Sequence, residues 1–144
     1  MDRIFKIYIL KIAELEEKVD IYINSFLNFY LIWNKGIAFG LLSFDKIIIY
    51  QLISLIIFTI SVVLIFMIIK SEGLKKYSLI SILGGALGNL FDRIYYSAVP
   101  DFIDLHFNGF HWFIFNLADI FITIGVICLI LDELIFYKKN NETK

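Results

Sequence analysis

An uninterrupted apolar run from Ile47 to Ile69 limits this chain to a small number of folds. The run holds roughly 23 residues, enough for a helix to cross a hydrocarbon core of about 30 Å. Hydrophobic residues make up 60% of the 144-residue chain, which is too apolar for a water-soluble fold of this size. We therefore expect a single membrane domain over residues 1–144, built mainly from α-helices.

Two further apolar segments, 77–96 and 113–136, are predicted to cross the membrane together with 47–69. Lysines concentrate in the 70–76 connection and in the C-terminal tail, which lie on the same side of a helical hairpin. The positive-inside rule makes that side cytoplasmic. The 95–112 loop and everything before residue 47 are then on the outer side.

The N-terminal part of the sequence does not have the pattern of a membrane-spanning helix. Residues 1–10 are too short and too charged to span a bilayer, and the β-branched and aromatic residues of Ile21–Trp33 favour extended chain. We expect 11–46 to form a strand-rich flap on the outer surface. Because this basic flap would have to be exported, we also expect a spanning helix upstream of Met1, with 1–10 as its remnant. The alternative is a three-span protein whose N-terminus crosses unaided.

Several site types are disfavoured by composition. A net charge of −1 gives no reason to expect a nucleic-acid partner, and one cysteine, Cys128, excludes an internal disulfide and a cysteine-cluster metal site. No cleavable signal peptide is recognisable at the start. His106 and His111 are five residues apart in the outer loop, so we interpret them as interfacial packing residues rather than metal ligands. Asp104 is interpreted as a residue that caps or hydrogen-bonds this loop.

Polar side chains gather where two apolar segments approach the outer surface. They are Asn89, Asp92, Arg93, Asp101, Asn116 and Asp119. Ionisable groups in or beside membrane spans are costly, so they indicate function. A purely structural polar clasp is an open alternative for Asn89, Asp92 and Arg93. The Gly84-xxx-Gly88 pair is predicted to let another helix approach closely.

Asp101 and Asp119 are predicted to meet at the outer end of the helices. Two carboxyl groups in a poorly hydrated site cannot both ionise cheaply, so they share a proton and can work as base and acid in peptide hydrolysis. A proton or ion pathway is the competing interpretation. It needs ionisable groups through the depth of the bilayer, whereas Ser54–Phe66 and Ile124–Ile130 are almost entirely apolar. A non-catalytic scaffold is a third possibility.

Four sequence blocks resemble the bacterial lipoprotein signal peptidase (signal peptidase II) family in order and spacing. They are NKGIAFGLLS (34–43), GGALGNLFDR (84–93), VPDFID (99–104) and FNLADIFITIG (115–125). The family's Asp-Gln-x-x-Lys motif is similar to Asp2–Lys6. The chain departs from the family pattern at Arg3, Pro100 and Phe113.

The resemblance implies a four-helix membrane bundle with a small periplasmic β-cradle, its first helix truncated here. It implies an aspartic endopeptidase that cuts signal peptides from diacylglyceryl-modified prolipoproteins, just before the lipidated cysteine. The dyad would be Asp101 and Asp119. The residues that bind substrate or support the dyad would be Asn34, Asn89, Asp92, Arg93 and Asn116.

The same resemblance implies that catalysis uses neither a metal ion nor a cofactor. Besides the prolipoprotein substrate, the expected partners are membrane lipids, and we expect a monomer. The expected location is the bacterial cytoplasmic (inner) membrane, crossed several times, with the active site at the periplasmic face.

Overall fold

The computed structural model of the chain describes residues 1–16, 18–36 and 47–142. This part of the chain contains four helices and one four-stranded sheet. The helices are α1 (Asp2–Glu16), α2 (Ile47–Ile69), α3 (Gly73–Tyr96) and α4 (Leu117–Glu142). The strands are β1 (Asp20–Asn24), β2 (Leu27–Asn34), β3 (Val99–Phe107) and β4 (Phe110–Phe115).

The sheet is antiparallel, with the strands in the order β1-β2-β3-β4. It joins two hairpins that are far apart in sequence, because β2 pairs with β3. The second hairpin turns at Asn108 and Gly109, which adopt φ values of 49° and 79°. A two-residue turn with positive φ at both positions favours Asn-Gly and matches the twist of the flanking strands.

A core of buried hydrophobic side chains lies between α1 and the sheet. Ile9 of α1 and Val19 pack with Phe102 and Ile103 of β3, and all four side chains are buried. Burying apolar surface in this way favours a fixed position of α1 against β3. Helix α1 therefore holds the sheet through the face that carries these buried side chains.

Helices α3 and α4 pack closely because each presents a glycine to the other. A Cβ on Gly85 would lie 2.5 Å from the carbonyl oxygen of Ala118, and one on Gly125 would lie 2.7 Å from the carbonyl oxygen of Ser78. The prediction that another helix approaches closely at Gly84 and Gly88 is thus wrong at Gly84, and Gly85 makes the close contact instead. Gly84 has no other described atom within 4 Å of its Cβ direction, so the helix contact runs through Gly85.

Helix α2 has the bounds that the apolar run predicts, Ile47–Ile69. Within the described residues, Tyr50–Ile69 is the one helical segment long and apolar enough to cross a membrane. Its large side chains face outward to an unusual extent: Phe58 is 55% exposed and Phe66 is 62% exposed. In water this would be unfavourable, whereas lipid would cover such a surface.

Other predicted boundaries are wrong. Residues 11–16 belong to α1 rather than to the flap, because Ile12 and Ala13 continue its apolar face against the sheet. Helix α3 begins at Gly73, not at residue 77. The predicted 95–112 loop contains β3 and the first half of β4. The segment predicted to span from 113 starts as strand, and α4 begins at Leu117. Within 11–46, positions 17 and 37–46 lie outside the described residues.

Candidate active site

The start of α4 holds two of the predicted site residues in a reciprocal cap. The side-chain oxygen of Asn116 accepts hydrogen bonds from the backbone N–H groups of Ala118 at 2.8 Å and Asp119 at 3.3 Å. In return, the Asp119 carboxylate accepts the backbone N–H of Asn116 at 3.2 Å. This is the capping-box arrangement, which satisfies the free donors of a helix N-terminus. It fixes Asp119 at the first turn of α4.

Asp101 lies on β3 and is 1% exposed, while Asp119 is 7% exposed. Two amide groups donate to the Asp101 carboxylate, Asn116 Nδ2 at 2.6 Å and Asn34 Nδ2 at 2.8 Å. Asn116 therefore contacts both acids, one through its side-chain amide and the other through its backbone. The strand β3 and helix α4 bring the two carboxyl groups together around it.

Burial raises the pKa of Asp101 to about 6, and the negative charge of Asp119 acts in the same direction. The hydrogen bonds from Asn34 and Asn116 oppose this rise, as does the positive charge of Lys6. A carboxyl group with these neighbours exchanges its proton near neutral pH. Such a perturbed pair of carboxyl groups in a cavity is typical of an acid–base site.

Helix α3 contributes Asn89, whose orientation is set from α1. Asn89 Nδ2 donates to Asp119 at 2.9 Å, and its oxygen accepts from Lys6 Nζ at 2.9 Å. Because the lysine can only donate, it requires the oxygen of Asn89 on its side and leaves the amide N–H for Asp119. Lys6 is fully buried and also contacts Asp92 at 2.6 Å and Asp2 at 3.0 Å.

Asp92 and Arg93 lie next to one another in sequence but have different surroundings. Asp92 is fully buried and binds Lys6 and Arg3, so it anchors α1 to α3. Arg93 donates to the carbonyl oxygen of Gly36, just after β2. The carbonyl oxygen of Arg93 accepts the hydroxyl of Tyr50, which adds α2 to the assembly.

A cavity of about 210 Å³ opens over the acids. Its polar wall is made of Asn34, Asn89, Arg93, Asp101, Asn116 and Asp119. Its apolar wall comes from α2, α3 and α4, for example Ile57, Ile82 and Ile122. Six of the seven predicted site residues thus border one space, and Asp92 supports them from behind.

Sequence reasoning left Lys6 out of the predicted site. Its signal was the spacing of Asp2 and Lys6, which places an acid and a base one helical turn apart at the start of α1. Asp2 also accepts the backbone N–H of Ala118 at 3.1 Å, so α1 reaches the first turn of α4. These contacts connect α1 to both helices that carry the site.

The predicted position of His106 and His111 in a surface loop is also wrong. They are direct partners in the pairing of β3 with β4. Within the described residues, the group of ligand-type side chains close enough to hold a metal ion consists of Asp104, His106 and His111. Neither Asp101 nor Asp119 belongs to that group.

Residues 1–135 match the family model described as signal peptidase (SPase) II. The chain is 62% identical over 142 residues to the lipoprotein signal peptidase of Pelagibacter ubique (strain HTCC1062), covering 98% of this chain and 86% of the relative. It is 44% identical over 133 residues to that of Francisella tularensis subsp. novicida (strain U112), covering 88% and 81%.

A solved structure described as a bacterial membrane enzyme is similar to the chain with a TM-score of 0.76 and 32% identity. The similarity covers 99% of this chain and 84% of the solved one. Sequence and structure comparisons thus agree over nearly the whole chain with the predicted resemblance. The chain belongs to the signal peptidase II family of peptidases.

Proposed function

We propose that the chain is a membrane aspartic endopeptidase that removes the signal peptide from diacylglyceryl-modified prolipoproteins by cutting just before the lipidated cysteine. The observation that carries this proposal is the placement of two buried carboxyl groups, Asp101 and Asp119, around one asparagine at the wall of one cavity. Membership of the signal peptidase II family supports the substrate class.

In the proposed reaction the two carboxyl groups share one proton. The ionised carboxyl removes a proton from a water molecule as its oxygen attacks the scissile carbonyl carbon, and the protonated carboxyl donates its proton to the carbonyl oxygen. Collapse of the tetrahedral intermediate breaks the C–N bond. The carboxyl that took the proton from water gives it to the leaving amine, and the other carboxyl takes a proton back from a hydroxyl of the intermediate, which restores the starting pair. The products are the carboxyl end of the signal peptide and the free amino group of the lipidated cysteine.

The side-chain amides around the two aspartates support this acid–base reaction. Asn34 and Asn116 donate to Asp101 while Asn89 donates to Asp119, so each acid is held in a fixed orientation. Arg93 borders the same cavity and would stabilise negative charge that develops on the substrate. Fixed donors of this kind lower the reorganisation needed at the transition state.

The proposed setting is a bundle in the bacterial inner membrane, with α2, α3 and α4 as spans and α1 at its outer end. Lys70, just before α3, and Lys75 and Lys76 in its first turn lie at the opposite end of this helix from Asn89 and Arg93. Cytoplasmic lysines would then place the acids and the sheet at the periplasmic face. The acyl chains of the substrate would lie along the apolar wall formed by residues such as Ile57 and Ile122. The enzyme would act as a monomer.

Cleavage can be tested with purified protein in liposomes and a prolipoprotein offered with or without its diacylglyceryl group. We expect cleavage of the lipidated precursor alone, and mass spectrometry should place the new N-terminus at the modified cysteine. The Asp119→Asn variant serves as the control for contaminating peptidases. Equal cleavage of both precursors, or cleavage at another bond, would contradict the proposed specificity.

A further inference from the structure

The β3–β4 hairpin brings together three side chains that the hydrolytic reaction does not use. Asp104 and His106 are two residues apart on β3, and His111 of β4 is the direct partner of His106. Direct cross-strand partners share a face. The register shifts between Asp104 and His106, but the Asp104 carboxylate contacts the ring of His111 and so lies beside the two imidazoles. The hairpin therefore presents one carboxylate and two imidazoles on the same face.

The ligand atoms are close enough to surround one ion. His111 Nδ1 lies 2.9 Å from Asp104 Oδ2, and His106 Nδ1 lies 3.8 Å from the same oxygen. One ligand atom from each residue falls within a set no wider than 4.8 Å. Ligand atoms of a tetrahedral zinc ion lie about 3.3 Å apart, so small side-chain rotations are sufficient.

Burial distinguishes this group from an ordinary surface ion pair. The Asp104 side chain is 5% exposed, and His106 Nδ1 is buried with no hydrogen-bond partner among the described residues. A buried ring nitrogen without a partner is unfavourable, and a metal ion would use its lone pair. His111 is 58% exposed, which leaves a path for an ion to enter from solvent.

We propose that Asp104, His106 and His111 bind a divalent transition-metal ion of the zinc type. Two imidazoles and one carboxylate suit zinc or its neighbours, whereas Mg²⁺ and Ca²⁺ prefer sites made of oxygen ligands alone. Three protein ligands leave one position open for water or another group. The ion would join β3 to β4 and so brace the strand that also carries Asp101.

Binding can be measured on the full chain in detergent, purified without a polyhistidine tag and treated with a chelator. Titration with Zn²⁺ by calorimetry should give one site per chain, and Co²⁺ should give the visible absorption of a tetrahedral site. Mg²⁺ should not compete. A rise in melting temperature with Zn²⁺ should accompany binding, since an ion that binds the folded state stabilises it.

Both histidines of the chain belong to the proposed site, so replacing either one tests the site directly. His111→Gln, at an exposed position that tolerates change, and His106→Gln should each weaken Zn²⁺ binding about tenfold or more. Asp20→Asn, an exposed acid on β1, should bind as the unaltered chain does. Zn²⁺ binding of equal affinity in His111→Gln, or no binding by the unaltered chain at micromolar Zn²⁺, would overturn the proposal.

Discussion

At the scale of single residues, Asn116 has two separable tasks. Its side-chain oxygen caps α4, and its Nδ2 donates to Asp101. The reciprocal bond from Asp119 to the backbone of Asn116 means that the same short segment, Asn116 to Asp119, both starts the helix and places an acid. Local helix chemistry and the site geometry therefore depend on the same four residues.

Replacing Asn116 in two ways separates these tasks. Asn116→Ser keeps a good capping oxygen, whereas Asn116→Ala removes it. The free energy of unfolding of Asn116→Ala should therefore be about 1 kcal/mol lower than that of Asn116→Ser. Both lose the hydrogen bond to Asp101, so we expect kcat/KM to fall about tenfold or more in both. Thermal unfolding and cleavage assays on the two variants give the comparison. Equal stability of the two would show that the cap has no effect.

The raised pKa of Asp101 makes stability depend on pH in a defined direction. The folded protein keeps this proton up to about pH 6, whereas the unfolded chain releases it near the ordinary value of 3.8. The contribution of this proton to the free energy of unfolding is therefore complete below about pH 4 and is lost as the pH rises through about 6. The loss is about 3 kcal/mol.

This dependence can be measured as the melting temperature between pH 4 and pH 8. In Asp101→Asn the group cannot titrate, so the decline across this window should be smaller by the amount due to Asp101. Asp20→Asn, at an exposed position, should keep the decline of the unaltered chain. An unchanged pH profile in Asp101→Asn would mean that the pKa of Asp101 is not raised.

At the scale of helices and strands, the close approach of α3 and α4 sets where Asn89 meets Asp119. Gly85→Ala would push a methyl group against the backbone of Ala118 and the side chain of Ile122. We expect a loss of about 1 to 3 kcal/mol in stability and a lower cleavage rate. Gly84→Ala is the matched control: its methyl group meets no described atom, and alanine favours helix. If both variants behave alike, the packing account is wrong.

The sequence predicted elements well where one physical signal dominates. The apolar run gave α2 its bounds, since nothing within it competes with a helix. The prediction fails for β3 and β4, because charged and aromatic residues beside a span are also typical of a loop. The Asn108-Gly109 pair between apolar residues was the available signal for a hairpin. The predicted start of the last span, at residue 113, is four residues early, because that prediction puts the capping pair Asn116 and Asp119 inside the span.

The site was predictable in part for a related reason. The concentration of costly polar groups at one end of two apolar segments indicated that Asp101 and Asp119 should meet, and the resemblance to a family assigned their neighbours. Lys6 could not be placed from spacing alone, since its contact with Asn89 joins residues 83 positions apart. The pairing of His106 with His111 follows from the β3–β4 hairpin, which the predicted loop does not include.

At the scale of the whole molecule, a buried ionic cluster holds α1 against the helices that carry the site. Lys6→Met keeps a long unbranched side chain without the ammonium group, and leaves Asp92 buried with Arg3 as its remaining described charged partner. Removing one member of a buried pair costs roughly 3 to 5 kcal/mol. The orientation of the Asn89 amide would also be released, so cleavage should fall as well.

Lys11→Met, on the exposed side of α1, is the control for this change. Thermal unfolding in detergent should show a large decrease for Lys6→Met and little change for Lys11→Met. Equal melting temperatures in these two variants would mean that the cluster does not hold α1 in place.

The most direct measurement is the rate at which Asp101→Asn and Asp119→Asn, each separately, cleave a diacylglyceryl prolipoprotein in liposomes, beside Asp20→Asn. Loss of either half of an acid–base pair should lower kcat by at least about a hundredfold, while Asp20→Asn keeps the full rate. Insertion and melting temperature show whether each variant is folded. Full turnover by a folded Asp101→Asn or Asp119→Asn variant would contradict the assignment of these two carboxyl groups as the catalytic pair.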